Sequence, residues 1–432
     1  MPDQPQPARR NGPLDVGAYD VLWWQRPGLE SIAGRLHIAG READGLARTH
    51  GTPLFVYDLA NVRESLTRLR AALQGTGMRT RVRVALKALR DPEYLAVVRS
   101  VSEPGSADSV GIDACSPGEV EHALANGFLP EEISCTGTNF GERDYASVLA
   151  HPVHVNADLI TQVDRIGRMD PGRAIGLRIN PRASVVNART NESITVYSGE
   201  RPTKFGIYLE DLPQAVATAR RHGLTIDTVH FHIVNGILDE DLPAFDRAME
   251  SVVPMIDKLV ELGCPIAEIN VGGGLGLRCH PHNRPLDLEA WAAILRRHLA
   301  RFDAVVSCEP GEFVALQSGF LLAEVVTVES RMGHLFAGLD VGWNVMNHHF
   351  VYALNMELVP CVDCEAPRTE RVTFAGNINE GPDIFVQDLP FPRPHEGDIV
   401  AMLDVGAYTR TMYHQHCLRP PAGVVHFTDR LP

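Results

Sequence analysis

Between about residue 80 and residue 308, short apolar β-branched runs alternate with longer stretches whose apolar positions recur every three to four residues. The runs are VRVAL at 82–86, GIDAC at 111–115, ISCT at 133–136, PVHV at 152–155, IGLRI at 175–179, DTVHFH at 227–232, AEINV at 267–271 and DAVVSC at 303–308. Runs this continuous in apolar residues belong to strands covered on both faces, the mark of a parallel sheet. The intervening stretches predict helices, among them 117–126, with Pro117 in its first turn, 211–222, 239–262 and 287–301. Eight strand–helix units over about 240 residues fit a (β/α)8 barrel. A doubly wound open sheet is the alternative the pattern leaves open.

The flanks read differently. Strand-like runs between about 35 and 58 end in TPLFVYD at 52–58, and residues 1–20 form a loose tail without an apolar face. After about 320, the runs FLLAEVVTVE, LFAGLDV, NMELVPCVD, RVTFAG and DIVAMLDVGAY are separated by turns and lack long helical patterns. They predict an antiparallel β domain. The expected division is 1–58 as tail and strands packing with the β domain, 59–322 as the barrel, and 323–432 as the C-terminal β domain.

Composition narrows the partners. The 432 residues carry 40 Lys and Arg against 54 Asp and Glu, a formal charge of −14. An acidic chain without a basic stripe argues against nucleic acid and anionic membrane. No apolar run reaches the roughly 18 residues of a membrane helix, and none follows the first basic residues as in a signal peptide, so a cytoplasmic protein is expected. Eight scattered cysteines read as reduced thiols. Cys361 and Cys364 form one CxxC, but no second ligand pair at zinc spacing accompanies it, so no metal site is expected.

A barrel gathers its chemistry at the C-terminal ends of its strands. The first run ends in Lys87, the second carries Asp113 and leads to Ser116-Pro117-Gly118-Glu119, the fifth ends in Arg178-Ile179-Asn180-Pro181, and the sixth ends in His230-Phe231-His232. The seventh runs into Gly272-Gly273-Gly274, and the eighth ends in Glu309-Pro310-Gly311. A lysine at a strand end is either a snorkelling surface residue or an amine able to form a Schiff base. Three glycines after a strand are either a plain turn or a set of backbone N–H groups converging on an anion. Glu309 needs a partner if buried, Arg178 being one candidate, or it can hold a cofactor's pyridine nitrogen protonated. His232 is either a satisfied core histidine or a site residue.

Lysine, histidine, triple glycine and glutamate in this order resemble the fold-type III pyridoxal-phosphate decarboxylases, closest in look to the diaminopimelate and ornithine decarboxylases. The resemblance runs from about Thr52 to Pro420. It is carried by TPLFVYD, ALKA around Lys87, GIDACSPGEVEHAL, RINP, TKFGI at 203–207, HFHI, NVGGGLG, EPG, NEGPD at 379–383 and GAY at 406–408. It implies an alanine racemase-like barrel with a C-terminal β domain, and pyridoxal 5'-phosphate as cofactor. By the same resemblance, Lys87 would hold the cofactor as an imine and His232 would stack on its ring. Gly272, Gly273 and Gly274 would bind its phosphate, joined by Tyr408, and Asn235 would stand where the family has a phosphate-binding hydroxyl. Glu309 would pair with the ring nitrogen, backed by Arg178. The family is dimeric with shared sites, so the 379–383 motif would come from the partner subunit. Lys204 and Asp383 match an intersubunit ion pair.

Several positions depart from the family pattern. Val234-Asn235 follow HFHI where the family has Gly-Ser. Glu312 stands where the family has a phosphate-binding arginine. Asn379-Glu380-Gly381 replaces a Cys-Glu-Ser motif and so removes an acid. His348-His349-Phe350-Val351-Tyr352 replaces a motif whose arginine grips the distal carboxylate of diaminopimelate. The substrate-contacting positions implied are His348, Tyr352, Glu380 and Asp383. The changes point away from diaminopimelate and toward a modified or carrier-linked amino acid of secondary metabolism. The expected activity is decarboxylation through an external aldimine, with Lys87, His232, Asn379 and Glu380 in the catalytic set. Lys87, or a water held by Asn379 and Glu380, would return the proton to Cα. A racemase on the same fold and a non-catalytic homologue with a regulatory role are the competing expectations.

Overall fold

The computed structural model describes residues 21–183, 185, 202–352 and 356–431; the side chains of His349, Phe350 and Tyr352 are outside that description. The expected tail at 1–20 also lies outside it.

Eight parallel strands close into a barrel: Thr80–Ala85, Gly111–Ala114, Ile133–Thr136, His154–Ala157, Ala174–Arg178, Thr225–His230, Glu268–Asn270 and Val305–Cys308. Their neighbours run in chain order, and the last pairs with the first, Val306 facing Thr80. The closed barrel is therefore the fold, and the open-sheet alternative falls away. Helices cover the outside, including Pro117–Ala125, Leu212–Arg221, Leu242–Glu261 and Leu288–Leu299. The apolar periodicity built them: Leu242, Phe245, Met249, Val252, Ile256 and Leu259 all turn inward from one helix. Local chemistry fixes where helices begin. Asp287 accepts the Ala290 N–H at 2.9 Å, and Ser116 accepts the Glu119 N–H at 3.2 Å.

The barrel interior is partly polar away from its active end. Arg83 is buried against Glu268, with Nη2 3.2 Å from Oε2, and Ser307 Oγ donates to the same carboxylate at 2.6 Å.

The second domain is a sheet ordered around the long strand Gly319–Arg331. Its first half pairs antiparallel with Leu54–Asp58 and with Ile399–Met402; its second half pairs with His334–Leu339. Leu358–Pro360, Glu370–Ala375 and Ile384–Phe391 extend the sheet, and Gly423–Phe427 joins it beside Leu54–Asp58. Most pairings are antiparallel. Two are parallel: His334–Leu339 with Glu370–Ala375, and Gly423–Phe427 with Leu54–Asp58.

Three details differ from the sequence reading. Residues Ala43–His50, expected within strand-like runs, form a helix that buries Ala43 and Ala47 against the β domain's second cluster of apolar side chains. It is only eight residues long, about two turns, too short a window for the period to stand out. The sixth barrel strand stops at His230, which leaves Phe231 and His232 in the loop beyond it. The strands Ile384–Phe391 and Gly423–Phe427 lie outside the runs that the sequence pattern marks as strands.

All eight cysteines are free thiols. Among the described residues no group of His, Cys, Asp and Glu is arranged to hold a metal ion, and no helix is long and apolar enough to cross a membrane.

Candidate active site

The ends of the barrel strands deliver a connected set of polar side chains. After the first strand the backbone turns sharply: Leu86 N–H donates to Asp113 O at 3.0 Å, and Ala88 N–H to Ala85 O at 3.1 Å. That turn presents Lys87 to the open mouth while protein groups crowd its base. Its Nζ stands 3.6 Å from Cys115 Sγ. The Cys115 sulfur, then Asp113, Tyr408 and Glu309, hold the Lys87 ammonium well above the ordinary lysine range, against burial that acts the other way.

Cys115 is held in place by the helix that follows it. Glu119 Oε2 accepts the Cys115 N–H at 2.7 Å, while Ser116 Oγ accepts the Glu119 N–H. The SPGE segment is thus a helix start that also fixes a thiol in the site. Asp113, buried at the end of the second strand, has its pKa pushed well up by burial and by the Glu309 charge, with Lys87 opposing.

Glu309 is also buried, but its partners differ from the one the sequence suggested. Oε2 lies 3.1 Å from His230 Nε2, and Oε1 accepts from Asn270 Nδ2 at 2.6 Å. Burial would raise its pKa. His230, through charge and hydrogen bond, then Asn270 and Lys87 outweigh burial and hold it well below the usual carboxylate range. A carboxylate that stays ionised in a closed site can hold a proton on a nitrogen facing it. Arg178 instead lies with Nη1 3.7 Å from Asp158 and its guanidinium 4.4 Å from the Phe205 ring centre. The RINP and TKFGI segments meet there: Ile207 N–H donates to Arg178 O at 2.8 Å, and Asn180 Nδ2 to Phe205 O at 2.8 Å.

His232 stands just past the sixth strand. Its Nδ1 accepts the Gly273 N–H at 3.2 Å, so the ring carries its hydrogen on Nε2. Burial, then the charges of Arg178, Lys87 and His230, lower its pKa to about 3, and the imidazole is neutral at physiological pH.

The glycine run is a backbone-only wall. A Cβ on Gly273 would come within 2.2 Å of Glu309 O, and one on Gly274 within 2.3 Å of Val234 O. Gly272 and Gly274 also take φ of +71° and +91°, which side-chain-bearing residues rarely adopt. Asn235 sits half-buried on the neighbouring loop. Tyr408 arrives from the β domain, its N–H donating to Ala88 O at 2.9 Å and its hydroxyl lying over Gly311, 2.5 Å from where a Cβ would sit. Lys87, Arg178, His232, Asn235, Gly272–Gly274, Glu309 and Tyr408 therefore share one end of the barrel. A planar cofactor with an aldehyde, a basic ring nitrogen and a phosphate fits this donor set: an amine, an ionised buried carboxylate, a neutral ring and a side-chain-free glycine cradle.

Of the remaining residues, Lys204 lies on the barrel beside Phe205, and the others form a second group on the β domain. Asn379 and Glu380 are exposed on the turn between Glu370–Ala375 and Ile384–Phe391, and Glu380 lies 3.3 Å from His416 Nε2. Asp383 is buried, with Oδ1 accepting the Trp343 N–H at 2.8 Å and Oδ2 the Ile378 N–H at 2.6 Å. Lys204 lies with Nζ 4.9 Å from the Phe205 ring centre. His348 is buried on the short helix Asn347–Tyr352. The Tyr352 side chain lies outside the described residues.

Sequence reasoning gave no role to Cys115, His230 or Asn270. His230 was reachable in principle, because it is the last residue of the sixth strand and strand ends carry the site. Asn270 and Cys115 carried no comparable signal.

Comparison with known proteins bears on this geometry. A family model described as pyridoxal-dependent decarboxylase, pyridoxal binding domain, matches residues 59–316. The diaminopimelate decarboxylase of Methanothermobacter thermautotrophicus is 33% identical over 402 residues, covering 91% of this chain and 90% of its own. That of Streptomyces coelicolor is 30% identical over 417 residues, covering 92% and 88%. Among solved structures, AQ1208 from Aquifex aeolicus matches with a TM-score of 0.81 at 24% identity over 94% of both chains. Diaminopimelate decarboxylase from M. jannaschii in complex with L-lysine matches with 0.81 at 23% over 92% of both, which shows the shared fold.

Proposed function

The chain belongs to the pyridoxal-dependent decarboxylases, and from that premise we propose how its own residues carry out the decarboxylation of an amino acid and which amino acids they take. The cofactor is pyridoxal 5'-phosphate and the enzyme is a carboxy-lyase. When bound, the cofactor supplies an aldehyde for an amine and a ring that accepts the electron pair released as CO2 leaves.

Lys87 supplies the amine that holds the cofactor and gives it up to the substrate. Glu309, kept ionised by His230 and Asn270, holds a proton on the ring nitrogen. His232 offers a neutral ring face whose orientation is set by the Gly273 N–H. Gly272, Gly273 and Gly274 offer the phosphate a wall of backbone, with Tyr408 and Asn235 as side-chain donors and Arg178 behind. The barrel takes residues 59–322, the strands that follow the N-terminal tail within 1–58 pack with the β domain, and residues 323–432 are that domain. The 379–383 turn serves the site of a partner subunit in a homodimer. Lys204 and Asp383 face each other across the interface, and His348, Glu380 and Asp383 contact substrate. Asn379 cannot act as an acid near neutrality, so the proton reaches Cα from Lys87 or from a water held by Asn379 and Glu380.

The substrate is a modified or carrier-linked amino acid of secondary metabolism rather than free diaminopimelate. The support is the buried His348 at the position where the family pattern carries the carboxylate-gripping arginine. An imidazole lacks the bidentate fork that makes arginine a carboxylate clamp.

The observation that carries the proposal is the connected set of Lys87, His232 with Gly273, and the buried, ionised Glu309 at one barrel end. Lys87→Ala is expected to abolish CO2 release and the visible absorbance of bound cofactor. Screening free amino acids and carrier-bound aminoacyl groups for CO2 release tests the substrate. Turnover of free diaminopimelate at the rate of the best carrier-linked candidate would overturn the substrate assignment, and full activity in the Lys87 variant would overturn the mechanism.

A further inference from the structure

Neither the sequence motifs nor the mechanism above gives Cys115 a task, yet its sulfur lies within hydrogen-bond reach of the Lys87 amine. Its Sγ is 3.6 Å from Lys87 Nζ and 3.9 Å from Asp113 Oδ2. The amine donates to the sulfur and the S–H donates to the carboxyl, so the three groups form a continuous chain. Asp113 is buried, and among the described residues its Oδ1 is enclosed without a hydrogen-bond partner. An enclosed carboxyl oxygen with nothing to bind is costly unless the group takes up a proton or is balanced by a charge close by.

We propose that Lys87, Cys115 and Asp113 form a proton relay in which the carboxyl of Asp113 takes the lysine proton through the Cys115 thiol and returns it when Lys87 must act as the acid toward Cα. The proposal rests on the reading of Lys87 as the amine that holds the cofactor.

The chain has two forms that differ by one proton carried across the sulfur. In one, ammonium faces carboxylate; in the other, amine faces carboxylic acid. The neighbours set the balance. Glu309 from the eighth strand and Tyr408 from the β domain favour charge on Nζ, while His232 and Arg178 face the same space from the sixth and fifth strands. Burial favours the neutral form.

The task needs both forms. An amine must be unprotonated to take an aldehyde, and Asp113 can then keep the proton. With the cofactor bound, a substrate arriving as an ammonium would give up its proton to the freed Lys87 amine, and that proton would load the relay. When CO2 departs, the electron pair left on Cα takes a proton from the Lys87 ammonium, whose nitrogen is left as the neutral amine needed to take the aldehyde back. The product amine picks up a proton from solvent on leaving, so one solvent proton is consumed per CO2. No donor at position 379 is required.

The test begins without cofactor. Cofactor-free protein is reductively methylated with formaldehyde and cyanoborohydride across a pH series, and Lys87 labelling is read by peptide mass mapping. Cys115→Ala and Asp113→Asn are each expected to lower the labelling midpoint by about one pH unit, a tenfold change. The double variant should shift no further than Asp113→Asn alone, and Cys115→Ser should restore most of the wild-type midpoint. In loaded enzyme, Cys115→Ala should yield less than one amine per CO2, because the relay no longer delivers the proton to Cα. Unchanged midpoints, additive shifts, or one amine per CO2 at wild-type rate in Cys115→Ala would overturn the relay. A Lys87→Ala protein that keeps its visible cofactor absorbance would instead overturn the reading beneath it, so the two failures are distinct.

Discussion

Glu309 and His230 face each other at the active end of the barrel, Oε2 to Nε2 at 3.1 Å, both side chains buried. This contact, with the Asn270 amide on the other oxygen, keeps a carboxylate charged where burial alone would neutralise it. Everything electronic in the site depends on that charge.

Glu309→Gln keeps the shape and removes the charge. CO2 release is expected to fall by about 10²–10³-fold, in the range found for losing one preorganised electrostatic contact. Cofactor should still bind, read as visible absorbance per chain. A variant within threefold of wild type would show that the ring nitrogen does not need this carboxylate.

Gly273→Ala places a methyl group 2.2 Å from the Glu309 carbonyl oxygen, backbone that cannot swing aside. The glycine loop must shift, and with it the Gly273 N–H that holds His232. Cofactor affinity should drop at least tenfold by titration, with kcat falling as well; unaltered affinity would remove the glycine run from the phosphate site.

At the other end of the barrel, Glu268 governs acid stability. Burial would raise its pKa, but the Arg83 guanidinium, by charge and hydrogen bond, and Ser307 bring it down to about 2 from the ordinary 4.5. A depressed carboxylate pKa stabilises the fold fully above the unfolded value and loses that contribution as pH falls through the folded one. The window is therefore pH 4.5 down to about 2. Glu268→Gln should flatten the pH dependence of unfolding in that window and cost about 3 kcal/mol near neutrality. Urea unfolding at pH 7 and pH 3 measures both, and an equal wild-type advantage at the two pH values would contradict the assignment.

Asp383 should act first as a structural acid. It receives the Trp343 and Ile378 N–H groups, and burial pushes its pKa up. Asp383→Ala leaves two donors without their acceptor and should cost about 1–3 kcal/mol. If the 379–383 turn also completes a partner's site, sedimentation should show weakened dimers alongside the lower Tm. A lower Tm with unchanged association would confine Asp383 to its own subunit.

How much of this was legible beforehand depends on the range of the interaction concerned. The barrel strands could be read because each overlaps a sequence run of four to six residues rich in apolar, often β-branched, side chains, a local property. The helix Ala43–His50 could not, because it buries only two alanines and its burial is decided by strands far away in sequence. Lys87, the glycine run and Glu309 were legible as chemistry at strand ends. The partners of Glu309 were not: Arg178 was the expected one, whereas His230 and Asn270 lie 79 and 39 residues before it.

The sequence by itself determined the fold class, the order of chemical groups around the barrel, and the family. Those are properties of period, residue type and motif, which the chain carries locally. Only the tertiary structure decided which carboxylate is kept charged, which imidazole is kept neutral, and that Cys115 sits between an amine and a buried acid. Ionisation depends on burial and on charges a few ångströms away, and those distances are set by closing the barrel, which joins the last strand to the first.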